Sequence, residues 1–421
     1  MGAPARVAED KLRRIAGLTD ASAELAQAVL RRGASLFAAD VASQATQIAD
    51  RLRGARVLIV GGGGTIGAAT TALLVDHKPK AVTVVDLSEN YLVELVRTLR
   101  GRPSGVSSDL TTQPIDYGSP IMARMLASEP PFDVVLNFAA LKHVRSEKDT
   151  YSLLQMLSTN VIAHARFKQA LRKHGHGATY FAVSTDKAAN PTSLMGASKR
   201  MAEDVAFEVA AEGGKSTTSV RFANVAFSNG SLLQGFLYRL AKGQPLAVPR
   251  DTRRYFVSER EAGELCMLAA FAAPDGHIAF PRLDPSGELQ LLQDVATRVL
   301  AAAGLQPELY EDEAAARRDV EKLRSAGRWP LLLTPLDTSG EKPFEEFVGA
   351  GETQVSFGLE AVSAVKHVSA GAQWTEAFEA LSALVSSSEG EVDKRAIVDC
   401  IAKAVPTMSH VETGRNLDQR L

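Results

Sequence analysis

The sequence predicts an α/β fold: a Rossmann-type, doubly wound parallel sheet with a smaller C-terminal substrate lobe and helical N- and C-terminal extensions. Short apolar runs of strand length alternate with helix-length segments from Arg56 onward. Such alternation is typical of a parallel sheet with helices on both faces. The run RVLIV (56–60) leads directly into four glycines and a helical segment, which is the order of elements in a dinucleotide-binding unit.

Composition and charge exclude several classes of protein. The chain has 421 residues, of which 45% are hydrophobic and 23% charged, and its formal net charge is −2. A net charge of this size gives no indication that the protein binds nucleic acid or an anionic membrane. No apolar run approaches the roughly 18 residues of a membrane span, and Cys266 and Cys400 form neither a metal-ligand cluster nor a disulfide framework. We therefore expect a cytoplasmic protein without a metal site.

The order of strand-length and helix-length segments along the chain predicts four regions. Helical spacing of Leu25, Val29 and Leu30 predicts a helical N-terminal extension. The predicted regions are 1–54 as this extension, 55–227 as an NAD-binding Rossmann domain, 228–350 as a substrate-binding lobe, and 351–421 as a C-terminal helical extension. Whether part of 250–272 returns to the Rossmann domain stays open.

The glycine cluster predicts a cofactor site. Gly61 and Gly64 follow a strand, where the absence of a side chain lets a pyrophosphate approach the helix N-terminus, and Gly67 permits close helix–strand packing. Asp86 ends the next strand, where a carboxylate binds ribose hydroxyls and repels a 2′-phosphate, so NAD is favoured over NADP. The alternative for Asp86 is an ordinary turn residue.

A second constellation lies in VSTDKAANPTSLMGASKRMAE (183–203). An apolar strand delivers Thr185, Asp186 and Lys187 at its end. Lys199 stands where the second half of a Tyr-x-x-x-Lys pair would be, but the tyrosine position holds Met195. A thioether has no proton to exchange and accepts hydrogen bonds only weakly, so Met195 cannot be a base. If the site were inactive, the Met195 side chain would instead pack in the hydrophobic core.

Together these stretches resemble the extended short-chain dehydrogenase/reductase superfamily and, within it, the nucleotide-sugar 4,6-dehydratases of polysaccharide biosynthesis that act on UDP-N-acetylglucosamine. The stretches are GGGGTIG, NFAALKHV, STDKAANPTSLMGASKRMAE, VRFANVAFSNGSLLQGF, RRYFVSEREA and SGEKPFEEF, within residues 57–347. Members that invert C5 keep the tyrosine, whereas members that retain it commonly have methionine. The chain is thus similar to the soluble retaining enzymes of legionaminic-acid and bacillosamine pathways.

The resemblance implies oxidation at C4 by NAD, loss of water across C5–C6, and return of hydride to C6. It implies that Thr185 binds O4, that Asp186 protonates the departing C6 hydroxyl, and that Lys187 removes the C5 proton as a neutral amine. We expect the cation of Lys199 to lower the pKa of Lys187 and to bind the nicotinamide ribose. Because Met195 cannot take the O4 proton, Asp186 is the first candidate acceptor and Lys187 the second.

The remaining site residues follow from the same resemblance. Those expected to bind the cofactor are Gly61, Gly64, Thr65, Ile66, Gly67, Asp86, Asp116, Ala139, Ala140 and Lys199. Those expected to bind the substrate are Lys142, His143, Asn224, Ser231 and Arg254, the last through diphosphate oxygens. Arg221 is expected to be structural. A homo-oligomer, a dimer or larger, is the expected assembly.

Two other functions remain open at this point. A nucleotide-sugar 4-epimerase or dehydrogenase on the same scaffold needs the Tyr–Lys couple, which Met195 counts against. A non-catalytic NAD-binding protein tolerates Met195 but gives no reason for adjacent Asp186 and Lys187. The sequence leaves open whether the sugar carries UDP or GDP, and it indicates the stereochemistry at C5 only through Met195.

Overall fold

The computed structural model describes residues 21–103, 105–143, 147–208, 216–336, 342, 344–368, 371–387, 390 and 392–411. The first 20 residues of the predicted N-terminal extension and the last ten of the C-terminal extension lie outside the described residues. So do residues 339–341 and 343 of the SGEKPFEEF stretch and Val144 of NFAALKHV.

The strands are numbered β1–β16 in chain order within the described residues. They are β1 Arg56–Val60, β2 Ala81–Val85, β3 Asp109–Gln113, β4 Val134–Asn137, β5 Thr179–Val183, β6 Ser216–Val220, β7 Asn224–Val225, β8 Leu246–Pro249, β9 Arg253–Arg254, β10 Phe256–Val257, β11 His277–Pro281, β12 Gln290–Leu291, β13 Gln306–Tyr310, β14 Arg328–Thr334, β15 Gln354–Val355 and β16 Val362–Lys366.

The α-helices are numbered α1–α16 in the same way. They are α1 Ala21–Leu30, α2 Ala38–Leu52, α3 Thr65–Leu74, α4 Glu89–Arg100, α5 Pro120–Ser128, α6 Thr150–Leu157, α7 His164–Lys173, α8 Leu194–Glu208, α9 Leu232–Ala241, α10 Glu259–Phe271, α11 Pro285–Glu288, α12 Leu292–Ala302, α13 Glu313–Arg318, α14 Val320–Ser325, α15 Ala372–Ser386 and α16 Lys394–Ala404. A π-helical turn, Ser158–Ala163, joins α6 to α7, and 3-10 turns occupy Val75–His77 and Asp186–Ala188.

The main sheet has nine strands in the order β15-β16-β11-β6-β5-β4-β1-β2-β3. Strands β3, β2, β1, β4, β5, β6 and β11 are parallel, and β16 and β15 add an antiparallel edge. The strand order reverses direction between β1 and β4. In an open parallel sheet, a ligand binds outside the carboxyl ends of the strands at such a reversal.

Both faces of the sheet are buried, as the doubly wound prediction requires. Alternate residues of β1 enter different apolar clusters: Val57 and Ile59 pack with residues of α2, α3, α4 and α10, whereas Leu58 and Val60 pack with residues of α5 and α7. Because side chains alternate across a strand, this split shows helices on each face. The α/β, Rossmann-type prediction is confirmed.

A second lobe is built on the parallel sheet β13-β14-β8. Apolar residues of α9 and α12 pack against it around the fully buried Trp329, and α1 contributes Leu25 and Val29 to the same cluster. The small pairs β7–β10 and β9–β12 lie outside the two larger sheets. No described helix is both long and apolar enough to span a bilayer.

The predicted domain limits stay predictions, but the strands do not follow them. Residues 228–350 were assigned to the substrate lobe, yet β11 pairs with β6 in the main sheet and α10 packs against α3. Residues 351–421 were expected to be helical, yet β15 and β16 extend the main sheet. The chain therefore returns twice to the Rossmann core, because the exposed edge of β6 is completed by strands from later in the sequence.

A buried ionic cluster fastens the late segment to the sheet. Arg221, fully buried just after β6, donates from Nε and Nη2 to Glu203 on α8 at 2.8 and 2.7 Å. It also donates to Glu352 at 2.8 Å and to the Phe347 carbonyl at 3.0 Å. Arg200 adds a bond of 2.8 Å to Glu352. Residues 344–352 are thus held against the carboxyl end of the sheet, and Arg221 has a structural position.

The N-terminal helix α2 is held to the core by a carboxylate. Asp40 is 3% exposed, and its two oxygens accept hydrogen bonds from the backbone N–H groups of Glu360 and Ala361, both at 2.8 Å. Arg32, before α2, donates to the carboxylate of Glu261 on α10 from Nε and Nη2, each at 2.9 Å. The extension is thus a packed part of the structure.

We predict that Asp40→Ala lowers the free energy of unfolding by about 1–3 kcal/mol, because it leaves the N–H groups of Glu360 and Ala361 without the buried carboxylate that accepts from them. Urea denaturation measures this change. Asp50→Ala is the matched control on the same helix, because Asp50 is exposed and pairs with the exposed Arg53, so its loss should cost no more than about 0.5 kcal/mol. Equal stability of the two variants would contradict the anchoring role of Asp40.

Candidate active site

The loop between β1 and α3 leaves no room for a side chain at Gly61 or Gly67. Gly61 has φ of +70°, and a Cβ there would lie 2.7 Å from the Ala139 backbone nitrogen. A Cβ on Gly67 would lie 2.4 Å from the Gly61 carbonyl oxygen. These approaches bring the N-terminus of α3 directly over the end of β1. The arrangement fits the phosphates of a dinucleotide, because the first N–H groups of a helix have no intrahelical acceptor.

Asp86 is joined to this loop. Its Oδ2 accepts a hydrogen bond from the Gly63 N–H at 3.0 Å, and its Oδ1 accepts one from the Ser88 N–H at 2.9 Å. The carboxylate therefore sits at the carboxyl end of β2, beside the glycines. That is the place where a carboxylate meets an adenosine ribose in dinucleotide-binding folds. Asp116, an exposed residue, follows β3 at the same edge of the sheet.

The other cofactor residues predicted from the sequence line the same edge. Thr65 begins α3, and its hydroxyl accepts a hydrogen bond from the Asn229 N–H at 3.1 Å. Ile66 packs against the apolar cluster on one face of the sheet. Ala139 and Ala140 are half-buried after β4, on the side of the glycine loop. The structure thus brings the glycines, Asp86 and the two alanines together.

Three polar side chains meet at the end of β5. The Thr185 hydroxyl donates to Asp186 Oδ1 at 2.7 Å, and Lys187 Nζ lies 3.2 Å from both Asp186 oxygens. The Asp186 side chain is 4% exposed and that of Lys187 is 32% exposed. The carboxylate is therefore enclosed, whereas the Lys187 side chain is only partly buried. Because Asp186 starts a 3-10 turn, the chain turns over the sheet edge there.

Glu345 is a member of this cluster that the sequence did not reveal. Its Oε1 accepts a hydrogen bond from Asn224 Nδ2 at 2.6 Å and lies 3.6 Å from Lys187 Nζ and 3.4 Å from Arg254 Nε. Its Oε2 accepts from the Tyr255 N–H at 3.4 Å. The only signal was the stretch SGEKPFEEF, which marked the family resemblance but gave this glutamate no role.

The charges around Lys187 correct one expectation. Burial lowers the pKa of Lys187, but the carboxylates of Asp186 and Glu345 outweigh it and hold the pKa above its usual value. The expected depression by Lys199 is therefore wrong in this structure. Burial together with the charge of Asp186 raises the pKa of Glu345 to about 7, against the opposing effects of Lys187 and Arg254. The pKa values of both Lys187 and Glu345 are thus raised above their usual values.

Met195 lies in an apolar environment. It is 3% exposed and belongs to a buried cluster with residues of α6, α8, α15 and α16, including Met156 and Trp374. Its backbone N–H donates to Glu147 Oε1 at 2.8 Å. The side chain packs as core, so the site obtains no proton-exchanging group from this position.

Lys199 lies one turn further along α8 and is 5% exposed. Its ammonium donates to the Val183 carbonyl at the end of β5 at 2.7 Å. Burial lowers the pKa of Lys199 to about 8, although the nearby carboxylate of Glu203 opposes the shift. This lysine is thus fixed beside the strand that delivers Asp186, in a position suited to a ribose hydroxyl.

The predicted substrate residues fall into two groups. Asn224 and Arg254 join the cluster at β5 through Glu345. Ser231 caps α9 by accepting from the Gln234 N–H at 3.2 Å. His143 is exposed on the loop after β4, and its ring lies against Gly230, where an added Cβ would be 2.5 Å from His143 Cε1.

Lys142 lies on the loop that follows β4, and Asn160 contacts this loop. Lys142 is exposed there, next to His143. Asn160, in the π-helical turn, was missed from the sequence: its side chain exchanges two hydrogen bonds with the backbone of Leu141 at 2.8 and 2.9 Å and donates to the Ser198 hydroxyl at 3.0 Å. A single asparagine in an amphipathic helix gives no signal of such a contact.

The fold and the glycine loop define a Rossmann-type protein of the extended short-chain dehydrogenase/reductase class. Residues 57–366 match the family model described as polysaccharide biosynthesis protein. This match covers more than half of the chain. The protein belongs to the polysaccharide biosynthesis protein family.

Several curated relatives match more than half of the chain. The chain is 31% identical over 273 residues to the uncharacterized membrane protein MJ1061 of Methanocaldococcus jannaschii, covering 63% of this chain and 78% of the relative. It is 29% identical to the probable polysaccharide biosynthesis protein EpsC of Bacillus subtilis, covering 66% of this chain but only 46% of EpsC. It is 27% identical to an inverting UDP-N-acetylglucosamine 4,6-dehydratase of Campylobacter jejuni, covering 55% and 67% of the two chains.

Solved structures share the fold. Pen from Bacillus thuringiensis matches with a TM-score of 0.60 and 23% identity, covering 75% of this chain and 88% of Pen. UDP-glucuronic acid 4-epimerase from Bacillus cereus, in complex with UDP-glucuronic acid and NAD, matches with a TM-score of 0.51 and 14% identity, covering 83% and 98%. At these identities the likeness concerns the fold alone.

We predict that Gly67→Ala lowers the free energy of unfolding by about 1–3 kcal/mol, because the new methyl group would meet the Gly61 carbonyl oxygen and push α3 away from β1. The same displacement should weaken binding of NAD. Chemical denaturation and calorimetric titration with NAD measure the two effects.

Gly235→Ala is the matched control for this substitution. Gly235 lies within α9 and an added Cβ meets nothing within 4 Å, so alanine should leave NAD affinity unchanged and add up to about 1 kcal/mol of stability. A Gly67→Ala variant with wild-type stability and NAD affinity would refute the close packing of helix and strand as the basis of the site.

Proposed function

We propose that this protein is an NAD-dependent 4,6-dehydratase, which converts a nucleoside-diphosphate-linked N-acetylglucosamine to the 4-keto-6-deoxy sugar with retention at C5. The observation that carries this proposal is the hydrogen-bonded trio of Thr185, Asp186 and Lys187 at the end of β5. A carboxylic acid and an amine side by side provide the proton donor and proton acceptor that elimination of water requires.

The cofactor follows from the fit of the glycine loop. The backbone at Gly61 and Gly67 carries no side chain that would keep a pyrophosphate away, and the carboxylate of Asp86 fits a ribose without a 2′-phosphate. The B. cereus epimerase of the same fold was solved with NAD. When bound, NAD would accept a hydride from C4 and later return it to C6. Lys199, fixed at the end of β5, would hold its nicotinamide ribose.

The protein side chains would handle the protons. Thr185 would donate a hydrogen bond to O4 or accept one from it. Asp186, paired with Lys187 at 3.2 Å, would take the O4 proton and then deliver it to the departing C6 hydroxyl. Lys187 would act at C5, where the adjacent ketone makes the proton acidic. Each of the two groups would thus serve both the removal and the return of a proton.

The buried thioether favours a dehydratase over an epimerase. Epimerisation and simple oxidation at C4 rely on a phenol for reversible proton exchange with O4, and the position of that phenol is occupied by Met195 in an apolar cluster. The remaining acid and base, Asp186 and Lys187, suit elimination across C5–C6. The same methionine supports retention rather than inversion at C5, as in the soluble enzymes that the chain resembles.

Substrate recognition would involve the second lobe and its connections. Arg254 carries a permanent positive charge at the site and suits diphosphate oxygens. Asn224 and Ser231 would meet the sugar or the diphosphate, with Lys142 and His143 on the facing loop. The C. jejuni relatives named UDP-N-acetylglucosamine 4,6-dehydratases favour UDP, and the legionaminic-acid resemblance keeps GDP as the second candidate.

The direct test is to incubate the purified protein with UDP- and GDP-N-acetylglucosamine and to follow the products by mass spectrometry and NMR. We expect loss of one water and a 4-keto-6-deoxy sugar that retains the configuration at C5. A product of unchanged mass would establish an epimerase instead. Intact substrate in both mixtures, with NAD bound, would refute catalysis on these sugars.

We predict that Asp186→Asn and Lys187→Ala each lower turnover by about 10²–10⁴-fold, because each removes a group that exchanges protons with the sugar. NAD affinity should remain at the wild-type level. Steady-state rates on the accepted nucleotide sugar and calorimetric titration with NAD measure the two quantities.

The matched controls are Asp50→Asn and Lys242→Ala, which change the same residue types at exposed positions outside the site. Both should turn over at the wild-type rate. The assignment of roles fails if either site variant also does so.

A further inference from the structure

Resting on the proposed function, we infer that Glu345 is a positioning residue for the dehydration: its carboxylate takes a proton from the Lys187 ammonium and so provides the amine that can act at C5. Nothing in the sequence or in the comparisons assigns this glutamate a role. The inference concerns how Lys187 becomes a base, which the proposed reaction requires and which the pair Asp186–Lys187 alone does not explain.

Glu345 and Asp186 both lie close to the Lys187 ammonium. Lys187 Nζ lies 3.2 Å from both oxygens of Asp186 and 3.6 Å from Glu345 Oε1. The ammonium is therefore shared by two carboxylates that come from distant parts of the chain. Asp186 cannot both relieve Lys187 of its proton and carry the O4 proton to C6. A second carboxylate within reach of Nζ removes this conflict.

Glu345 is built into the site. It is 7% exposed. Asn224 donates to its Oε1 and the Tyr255 N–H to its Oε2, and these two bonds fix the orientation of the carboxylate toward Lys187. The ion pair of Arg221 with Glu352 holds the segment that carries it against the sheet. A buried carboxylate held in this way needs a proton or cations to offset its lost hydration.

Several charged groups surround Glu345. The groups that face it are the carboxylate of Asp186, the ammonium of Lys187, the guanidinium of Arg254 and the phenol of Tyr255. Burial and the like charge of Asp186 raise the pKa of Glu345 to about 7, so the carboxyl is poised between its two states at neutral pH. Once Glu345 is protonated, Lys187 loses one of the two negative charges that hold its pKa high.

The proton balance is closed within the site. One N–H bond of the Lys187 ammonium breaks and an O–H bond forms on Glu345. The Lys187 amine then takes the C5 proton, and the electron pair of the C5–H bond becomes the C5–C6 double bond as the C6–O bond breaks. Asp186 gives its proton to the departing oxygen, which leaves as water. Lys187 later returns a proton to C5 and recovers its own from Glu345.

The test compares Glu345→Gln, Glu345→Asp and Glu346→Gln by the pH dependence of kcat. Because Glu345 must be ionised to accept a proton, wild-type kcat should fall as the pH drops through about 7. Glu345→Gln should lower kcat about 10²-fold and abolish this acid limb, with KM and NAD affinity unchanged. Glu345→Asp keeps an ionisable group and should keep the acid limb at an intermediate rate.

Glu346→Gln is the control in the neighbouring position. The Glu346 side chain is 41% exposed and contacts Lys342 and Asn190 outside the cluster, so its loss should leave the acid limb and kcat as in the wild type. A purely structural role for this segment predicts the reverse: similar losses for both glutamines and an unchanged pH profile in Glu345→Gln. That result would overturn the inference.

Two further measurements distinguish a loss of function in Glu345→Gln from a failure of this variant to fold. In single turnovers, Glu345→Gln should accumulate the 4-keto sugar that still carries the C6 oxygen, because C4 oxidation does not need the Lys187 amine. Stability should also respond: the folded pKa of Glu345 lies above that of an unfolded glutamate, so ionisation between about pH 4.5 and pH 7 destabilises the fold. The Tm of Glu345→Gln relative to the wild type should therefore be higher at pH 8 than at pH 5.

The outcomes separate the two proposals. If the wild type forms a 4-keto-6-deoxy sugar and Glu345→Gln matches its kcat and acid limb, the role of Glu345 is refuted and the dehydratase stands. If the wild type forms no such product from UDP- or GDP-N-acetylglucosamine, the proposed function fails and the inference fails with it.

Discussion

The fully buried guanidinium of Arg221 is the constraint on which the site depends. It is enclosed by the carboxylates of Glu203 and Glu352, which belong to a helix of the Rossmann core and to a segment far along the chain. Removing one partner of a buried ion pair commonly costs about 3–5 kcal/mol, because the remaining charge has lost its hydration without compensation. The late segment therefore has one stable position against the sheet.

This fixed position has a chemical consequence. Ser184, just before the reactive trio, donates to Glu203 at 2.6 Å, so the same buried carboxylate orients both the end of β5 and Arg221. The segment held by Glu352 brings a second acid, Glu345, to within 3.6 Å of the Lys187 ammonium. Two acids and one amine, enclosed by protein on the sheet side, form a set whose protonation states are coupled through space. The low dielectric of such a site strengthens each of these interactions relative to water.

Local patterns predicted the sheet and the cofactor loop, because the information for both lies in short stretches. Strand-length apolar runs specify β1, β2, β4 and β5, and the glycines between β1 and α3 specify a close backbone approach. The cluster around Lys187 could not be predicted in the same way. The pKa of Lys187 is raised by Asp186 and by Glu345. Glu345 lies on a segment that is held at the site by the ion pair of Arg221 with Glu352 and by the return of the chain to the main sheet at β11 and β16.

The same limit applies to residues on helices and at the ends of the chain. Asn160 and Asp40 use ordinary polar side chains to bind backbone groups elsewhere in the fold, and no spacing in the sequence distinguishes them from solvated residues. Met195 is the reverse case: its chemistry excluded a proton-exchanging role from the sequence alone, and the structure adds the apolar cluster in which it packs.

The pair of helices α15 and α16 has a practical implication for any shortened version of the chain. The family match stops at residue 366, yet Trp374, Leu381 and Ile401 beyond it cover the apolar side chains of α6 and α8. A fragment trimmed to the matched region would expose that apolar surface to water. If such a fragment aggregated during purification, the cause would be the loss of α15 and α16, and not a defect in the Rossmann domain itself.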